Sequence, residues 1–411
     1  MPQPLINISR KHALAFAAFL VLYEFLTYIA NDMIMPGMIM VIKSFHGHES
    51  DVAKSLTAYI LGGSSLQLIL GPLSDRYGRR PVMLSGAVLF LICTIIITQS
   101  HSIQQFILFR FFQGMGLCFI GTIGYTALQE IFTEMDAVKL IAIMASTAII
   151  SPLIGPVLGA VLIAYLSWKY IFIVISIFAI IALWGLWEFM PETIGTVQTN
   201  GRILKITPFT PKIIINNYKL LLQNQIFLFG TIGLALLTTP CLIWIALAPI
   251  ILIKHAHLSI ITYAIWQIPI FGATILGNYI LHKLTKTKNI KQLISLGTHL
   301  TLLSLALTAL LPLIISDDYI WLMPGLIFYS FNLGIVAAPL NRFILFVTTV
   351  SKGTASAIIS FIIMVIEAIS IEVGNIIYNT SYSNTILGMY CLILGLLFYI
   401  FTLYILYKDP Q

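Results

Sequence analysis

The sequence predicts an all-α integral membrane protein of twelve transmembrane helices in two six-helix halves. Three observations predict it. The chain is 59% hydrophobic and only 9% charged, whereas soluble domains carry about 25% charged residues. Apolar runs of about 20 residues, the length a helix needs to cross a bilayer, recur from end to end. One long, polar and basic connection separates the first six runs from the last six.

The runs fall near 13–38, 53–72, 82–99, 103–128, 139–164, 168–189, 225–251, 260–281, 291–314, 319–346, 354–378 and 384–407. None shows the alternation of a β-barrel strand, so backbone polar groups must be satisfied inside helices. Arg10 and Lys11 precede the first run. That run is nonetheless too long for a signal peptide, contains two carboxylates and lacks a small-residue cleavage site, so it reads as a retained span. The connection at about 190–224 divides the chain into an N-terminal bundle (1–189), a cytoplasmic linker (190–224) and a C-terminal bundle (225–411). Four single cysteines, Cys93, Cys118, Cys241 and Cys391, stand in apolar runs and read as small buried hydrophobes.

Basic residues set the orientation. With the N-terminus inside, seventeen of the 22 Lys and Arg residues fall on the inner side, among them Arg76, Arg79, Arg80, Arg202, Lys205, Lys212 and Arg342. The outer loops hold only Lys43, Lys54, Lys169 and Lys254. This bias places both termini in the cytoplasm. It also accounts for the net charge of +7 without a nucleic-acid partner.

The first run carries Glu24 and Asp32. A charge inside a span costs roughly 2.5–3.5 kcal/mol on insertion scales and marks a functional site by default. Eight residues of helix rise about 12 Å in close to two turns, so the two carboxylates share broadly one face at two depths. That is the layout of a proton-handling seam. Arg110 is the only basic residue well inside a run. It lies about as far from the outer end of its span as Asp32 does, so the two can meet at one depth. A cation there stabilises an ionised carboxylate; the alternative is that Arg110 snorkels outward.

Between the second and third runs stands Gly71-Pro-Leu-Ser-Asp75-Arg76-Tyr-Gly78-Arg79-Arg80-Pro81, a turn with a charge cluster of Asp75 and Arg79 on the inner rim. In the fifth run, Ser151-Pro152-Leu-Ile-Gly155-Pro156-Val-Leu-Gly159-Ala160 combines kinking prolines with small residues that let helices approach closely. The first of these resembles the G-x-L-[SA]-D-R-x-G-R-[KR] signature of the major facilitator superfamily. Arg110-Phe-Phe-Gln113-Gly114 is similar to its R-x-x-Q-G motif, and Gly155-Pro156-Val-Leu-Gly159 to its antiporter motif G-P-x-x-G.

Along essentially the whole chain, including Tyr23–Met38, Trp266–Gly272 and Ser351–Thr354, the sequence resembles the twelve-helix drug:proton antiporters of that superfamily. The resemblance implies a proton-coupled exporter of lipophilic cations and neutral, chloramphenicol-like drugs, with the substrate site near the midplane between halves. Carried over by position, Glu24 and Asp32 are its protonatable carboxylates and Arg110 their modulator. Tyr28, Asn31, Asp32, Ala148, Leu242 and Ile245 then line the drug pocket. Gly71, Asp75, Arg76, Gly78 and Arg79 form a latch between halves that engages Glu130 and Arg342. Pro152, Gly155, Pro156 and Gly159 mark export rather than import.

The eleventh run adds Glu367 and Glu372. Glu367 stands where the family pattern has an apolar residue. It reads as a side chain hydrogen-bonded inside the bundle, with a third titrating site as the alternative. His46/His48 and His255/His257 read as solvated loop residues rather than metal ligands. No GxxxxGK[ST], HExxH or GxSxG occurs, which argues against an ATP-driven pump, a hydrolase or any enzyme. The expected partners are lipophilic drugs, protons and lipid, with no cofactor or metal, and a monomer in the bacterial cytoplasmic membrane. A proton-coupled nutrient importer of the same fold and a non-transporting sensor or scaffold are the rival readings.

Overall fold

The computed structural model describes residues 4–199, 201, 204, 211–348, 350 and 352–408. Arg202, Lys205 and Ser351, singled out above, lie outside them.

Among the described residues, eleven helices are long and apolar enough to cross a membrane. They are Arg10–Ser44, Arg79–Thr98, Ile103–Ile131, Lys139–Tyr165, Lys169–Phe189, Gln225–His255, Ile260–Leu284, Ile290–Ile314, Tyr319–Phe346, Lys352–Ser381 and Asn384–Lys408. The twelfth span, second in the chain, is the pair Ser50–Ser65 and Gln67–Tyr77, bent by 40°. Just before the bend, Ser64 and Ser65 donate to the Leu61 and Gly62 carbonyls at 2.9 and 2.7 Å, a back-bonding that bends helices. Pro36 breaks the regular helix of the first span immediately after Asp32, where a short 3-10 turn, Met35–Gly37, leads into Met38–Ser44.

Polar side chains start many of the helices. Ser9, Ser102, Asn224 and Ser259 accept from the backbone of the first turn, and Asn289 with Gln292 closes a capping box. Between the sixth and seventh spans, the amphipathic helix Pro211–Gln223 packs on the seventh and eleventh spans and reaches the second through its Tyr218 hydroxyl, which donates to the Leu68 carbonyl at 2.8 Å.

Within the first six spans, the first packs on the fifth and sixth, the second on the fourth, and the third on the sixth. Within the last six, the ninth packs on the tenth and twelfth, the eighth on the tenth, and the seventh on the eleventh. The two sets meet along the second and eleventh spans and along the fifth and eighth. Glycine sets how close the second and fourth spans come: a Cβ at Gly114 would lie 2.0 Å from the Tyr59 carbonyl oxygen, and one at Gly62 1.9 Å from that of Phe111.

On the face opposite the termini, Glu49 joins the two sets. It pairs with Lys254 and meets His255 Nε2 at 3.2 Å, while His255 Nδ1 meets the Tyr378 hydroxyl at 3.0 Å. Asn375 adds a hydrogen bond to the Ser50 carbonyl at 3.1 Å. His255 is thus not the solvated loop residue expected. It ends the helical segment Pro249–His255 and is packed between Tyr378 and Tyr382.

Candidate functional site

Glu24, Asp32 and Arg110 are all buried, at 1%, 5% and 0% exposure, so Arg110 does not snorkel. Its guanidinium lies 4.3 Å from the Tyr59 ring centroid. It donates to Asn31 Oδ1 at 2.5 Å, Gln113 Oε1 at 2.7 Å, the Ala30 carbonyl at 3.3 Å and Ser55 Oγ at 3.4 Å. Gln113 in turn donates to Thr94 at 2.8 Å. Tyr59 is itself anchored, its hydroxyl donating to the Thr27 carbonyl.

The direct pairing expected between Arg110 and Asp32 is not made. Asn31 stands between them, accepting from Arg110 and donating through Nδ2 to Asp32 Oδ1 at 3.2 Å. The reason is geometric: the first span presents the amide of Asn31 to the guanidinium and turns the next residue toward the fifth span. There Ser151 Oγ donates to Asp32 Oδ2 at 2.6 Å. Asn31 was legible as a pocket residue, but nothing in the sequence marks it or Ser151 as the partners of Asp32.

The glycine- and proline-rich stretch of the fifth span presses on this carboxylate. A Cβ at Gly155 would lie 2.6 Å from Asp32 Cβ, and one at Gly159 would lie 2.0 Å from the Met33 carbonyl oxygen. Small residues are therefore what lets the fifth span reach Asp32. Asp32, Pro152 and Pro156 line a small cleft whose other wall is Ile245, Tyr263 and Phe271 of the seventh and eighth spans. Behind that wall Trp244 donates to Gln267 at 2.9 Å. Of the expected pocket residues, Asp32 and Ile245 line this cleft, while Tyr28, Ala148 and Leu242 are half-buried outside it. The Tyr28 hydroxyl is within electrostatic reach of Glu24, Asp32 and Glu367 together.

Glu24 lies toward the terminal face from Asp32. Tyr125 donates to its Oε1 at 2.8 Å, and its Oε2 is buried with no hydrogen-bond partner among the described residues. Glu367 accepts from Thr238 at 2.6 Å, the hydrogen-bonded placement expected of it. Glu372 accepts from Asn375 at 3.3 Å.

The charge cluster at residues 71–81 is built differently from the expected latch. Arg79 pairs with Asp75 at 2.5 Å and with Glu130 at 2.9 Å, and donates to Ser74 at 2.5 Å. Gly78 turns the chain at a φ of +103°, a backbone angle suited to glycine. A Cβ there would strike Glu192 Oε2 at 2.3 Å. Glu192 accepts from the Arg79 and Arg80 amides at 3.0 and 3.2 Å, and Thr193 donates to Glu130 at 2.5 Å. The cluster thus ties the second, third and fourth spans to the start of the linker and, among the described residues, stays within the first 198. Arg342 does not reach it: its guanidinium lies over Phe346, one helical turn away, at 4.7 Å. Arg76 is exposed and lies over Tyr77 at 5.3 Å. The anchoring role of Glu192 was not legible, because it depends on the path of the linker.

Among the described residues, up to twelve spans surround buried ionisable groups held by neutral partners, the make-up of a multi-pass membrane transporter. A family model described as Major Facilitator Superfamily matches residues 20–371, and the chain belongs to that superfamily. It is 43% identical over 375 residues to the multidrug transporter MdfA of Yersinia pestis bv. Antiqua (strain Angola), covering 91% of this chain and 90% of that relative. Over 401 residues it is 41% identical to the multidrug transporter MdfA of Escherichia coli O6:H1, covering 98% and 95%. Among solved structures, the partially occluded, inward-open xylose transporter XylE from E. coli superposes with a TM-score of 0.74 at 14% identity, covering 96% of this chain and 98% of that one. The human organic anion transporter MFSD10 gives 0.67 at 15%, covering 95% and 99%. These two likenesses concern the fold.

Proposed function

We propose that the chain is a multidrug exporter of the bacterial cytoplasmic membrane, with both termini inside, that exchanges lipophilic cations and neutral drugs for protons. The observation that carries this reading is Asp32. It is a buried carboxylate held by neutral donors at the wall of a cleft shared by the two sets of spans, 1–189 and 225–411, which act as two halves about the linker 190–224. The multidrug transporters named above, 41–43% identical along the chain, support the substrate class.

With the cleft open inward, ionised Glu24 and Asp32 attract a cation into an apolar site with few polar groups, the usual composition of a small-molecule pocket. A proton from outside neutralises a carboxylate and releases its hold on the drug. Exchange follows if drug and proton favour opposite conformers. Arg110 acts on Asp32 through Asn31, whose amide cannot hold both bonds if either neighbour turns away. The cluster of Asp75, Arg76, Gly78, Arg79 and Glu130 serves as the inner fulcrum of that movement.

Purified protein in liposomes with an imposed pH gradient tests this. Ethidium or chloramphenicol moving against the proton flux, and failing to do so in Asp32→Asn, supports it. Movement with the protons would make the chain an importer.

A further inference from the structure

Glu367 belongs to the second half, and its placement joins it to the carboxylates of the first. Its hydrogen-bond donor, Thr238, lies on the seventh span at i, i+4 and i+7 with Leu242 and Ile245, so the three share one helix face. Ile245 and Asp32 line the same cleft. From Ile245 to Thr238 the seventh span descends seven residues, about 10 Å, toward the terminal face. From Asp32 to Glu24 the first span, running in the same direction, descends eight residues, about 12 Å. Glu24 and Glu367 therefore stand at closely similar depth on opposite halves. The Tyr28 hydroxyl within reach of both, and the Cys241 thiol within reach of both Glu367 and Asp32, agree with that placement.

The charges here do not balance. Among the described residues, no ion pair joins Glu24, Asp32 or Glu367 to any Lys, Arg or His. Arg110, the one cation at hand, is spent on neutral acceptors. Glu24 keeps an unpartnered, buried oxygen, and Glu367 holds a single donor. Buried carboxylates left this way call for a proton or a cation.

We infer that Glu367 is a specificity-determining carboxylate: opposite Glu24, it receives the second positive centre of a dicationic substrate, so the chain accepts compact organic dications as well as monocations. This rests on the cation export proposed above, and a binding measurement separates the two. The ligands are an N,N′-dialkyl-4,4′-bipyridinium dication and its N-monoalkyl monocation, titrated onto the full-length protein in nanodiscs. The wild-type chain binds the dication more tightly, by about tenfold, the scale of one well-placed opposite charge. Glu367→Gln loses that preference, keeps monocation affinity within about twofold and keeps its melting temperature; Glu367→Asp retains part of the preference. An unchanged preference in Glu367→Gln, no preference in the wild type, or equal loss of both ligands with a lowered melting temperature would each overturn the inference. Failure of the transport reading looks different: the dication preference is present, yet neither ligand moves against protons in liposomes.

Discussion

Asp32 accepts from Ser151 and Asn31, and a carboxyl that takes up a proton must either loosen a donor or reverse its bond to the Ser151 hydroxyl. Protonation at this residue is thereby linked to the contact between the first and fifth spans. Asp32→Asn, close in shape but unable to ionise, is expected to abolish proton-driven export while the protein still folds and melts as before. Proton-driven export by that variant would refute the role. Glu24→Gln is expected to reduce transport of cationic drugs far more than of neutral ones, because only the charge is lost; equal losses, measured drug by drug, would contradict this. At this scale the sequence was half legible. Glu24, Asp32 and Arg110 stand out because charges inside spans are rare. The bridge through Asn31 does not, because it depends on how residues 79 positions apart approach.

The fifth span is where a stretch of sequence becomes a device. Its glycines bring it against Asp32 and Met33, so Gly159→Ala puts a methyl group where the Met33 carbonyl already lies. Overpacking of this kind costs about 1–3 kcal/mol. The expected readouts are a lower melting temperature and looser exchange, seen as proton leak without drug; an unchanged melting temperature would show that the two spans separate freely. On the terminal face, Arg79 is nearly buried against Glu130. Glu130→Gln is expected to cost about 1–3 kcal/mol, since Arg79 loses one charged partner but keeps Asp75 at 2.5 Å. Thermal unfolding in detergent reads this, and a loss below about 1 kcal/mol would mark the pair as solvent-screened. All twelve spans and their order were legible, because their length and apolarity follow directly from the bilayer. Of the latch partners, Glu130 was legible and pairs with Arg79; the others were not. Glu192 is brought in by the linker's path, and Arg342 is held back by its own neighbour Phe346.

For the molecule as a whole, Glu49 with Lys254 and His255 joins the two sets of spans on the face away from the termini, and the proposed movement of two halves would break those contacts. Glu49→Gln is expected to speed opening on that side, read as faster alkylation of a cysteine placed at Ile245; no change would mean the contact does not restrain the halves. No sequence pattern announced this junction, since its partners come from distant loops. If the proposed exchange takes one proton per neutral drug, one net charge moves per cycle: about 2.3 kcal/mol at 100 mV, set against about 1.4 kcal/mol per tenfold gradient, supports roughly fiftyfold accumulation outside. Drug and proton competing for the same carboxylates is the heart of such a cycle. It is tested most directly by adding a lipophilic monocation to purified protein in weakly buffered solution near neutral pH and following proton release with an indicator. Release that saturates with drug binding and vanishes in the double variant Glu24→Gln, Asp32→Asn is the expected result. Full drug binding by the wild-type protein with no proton released would contradict it.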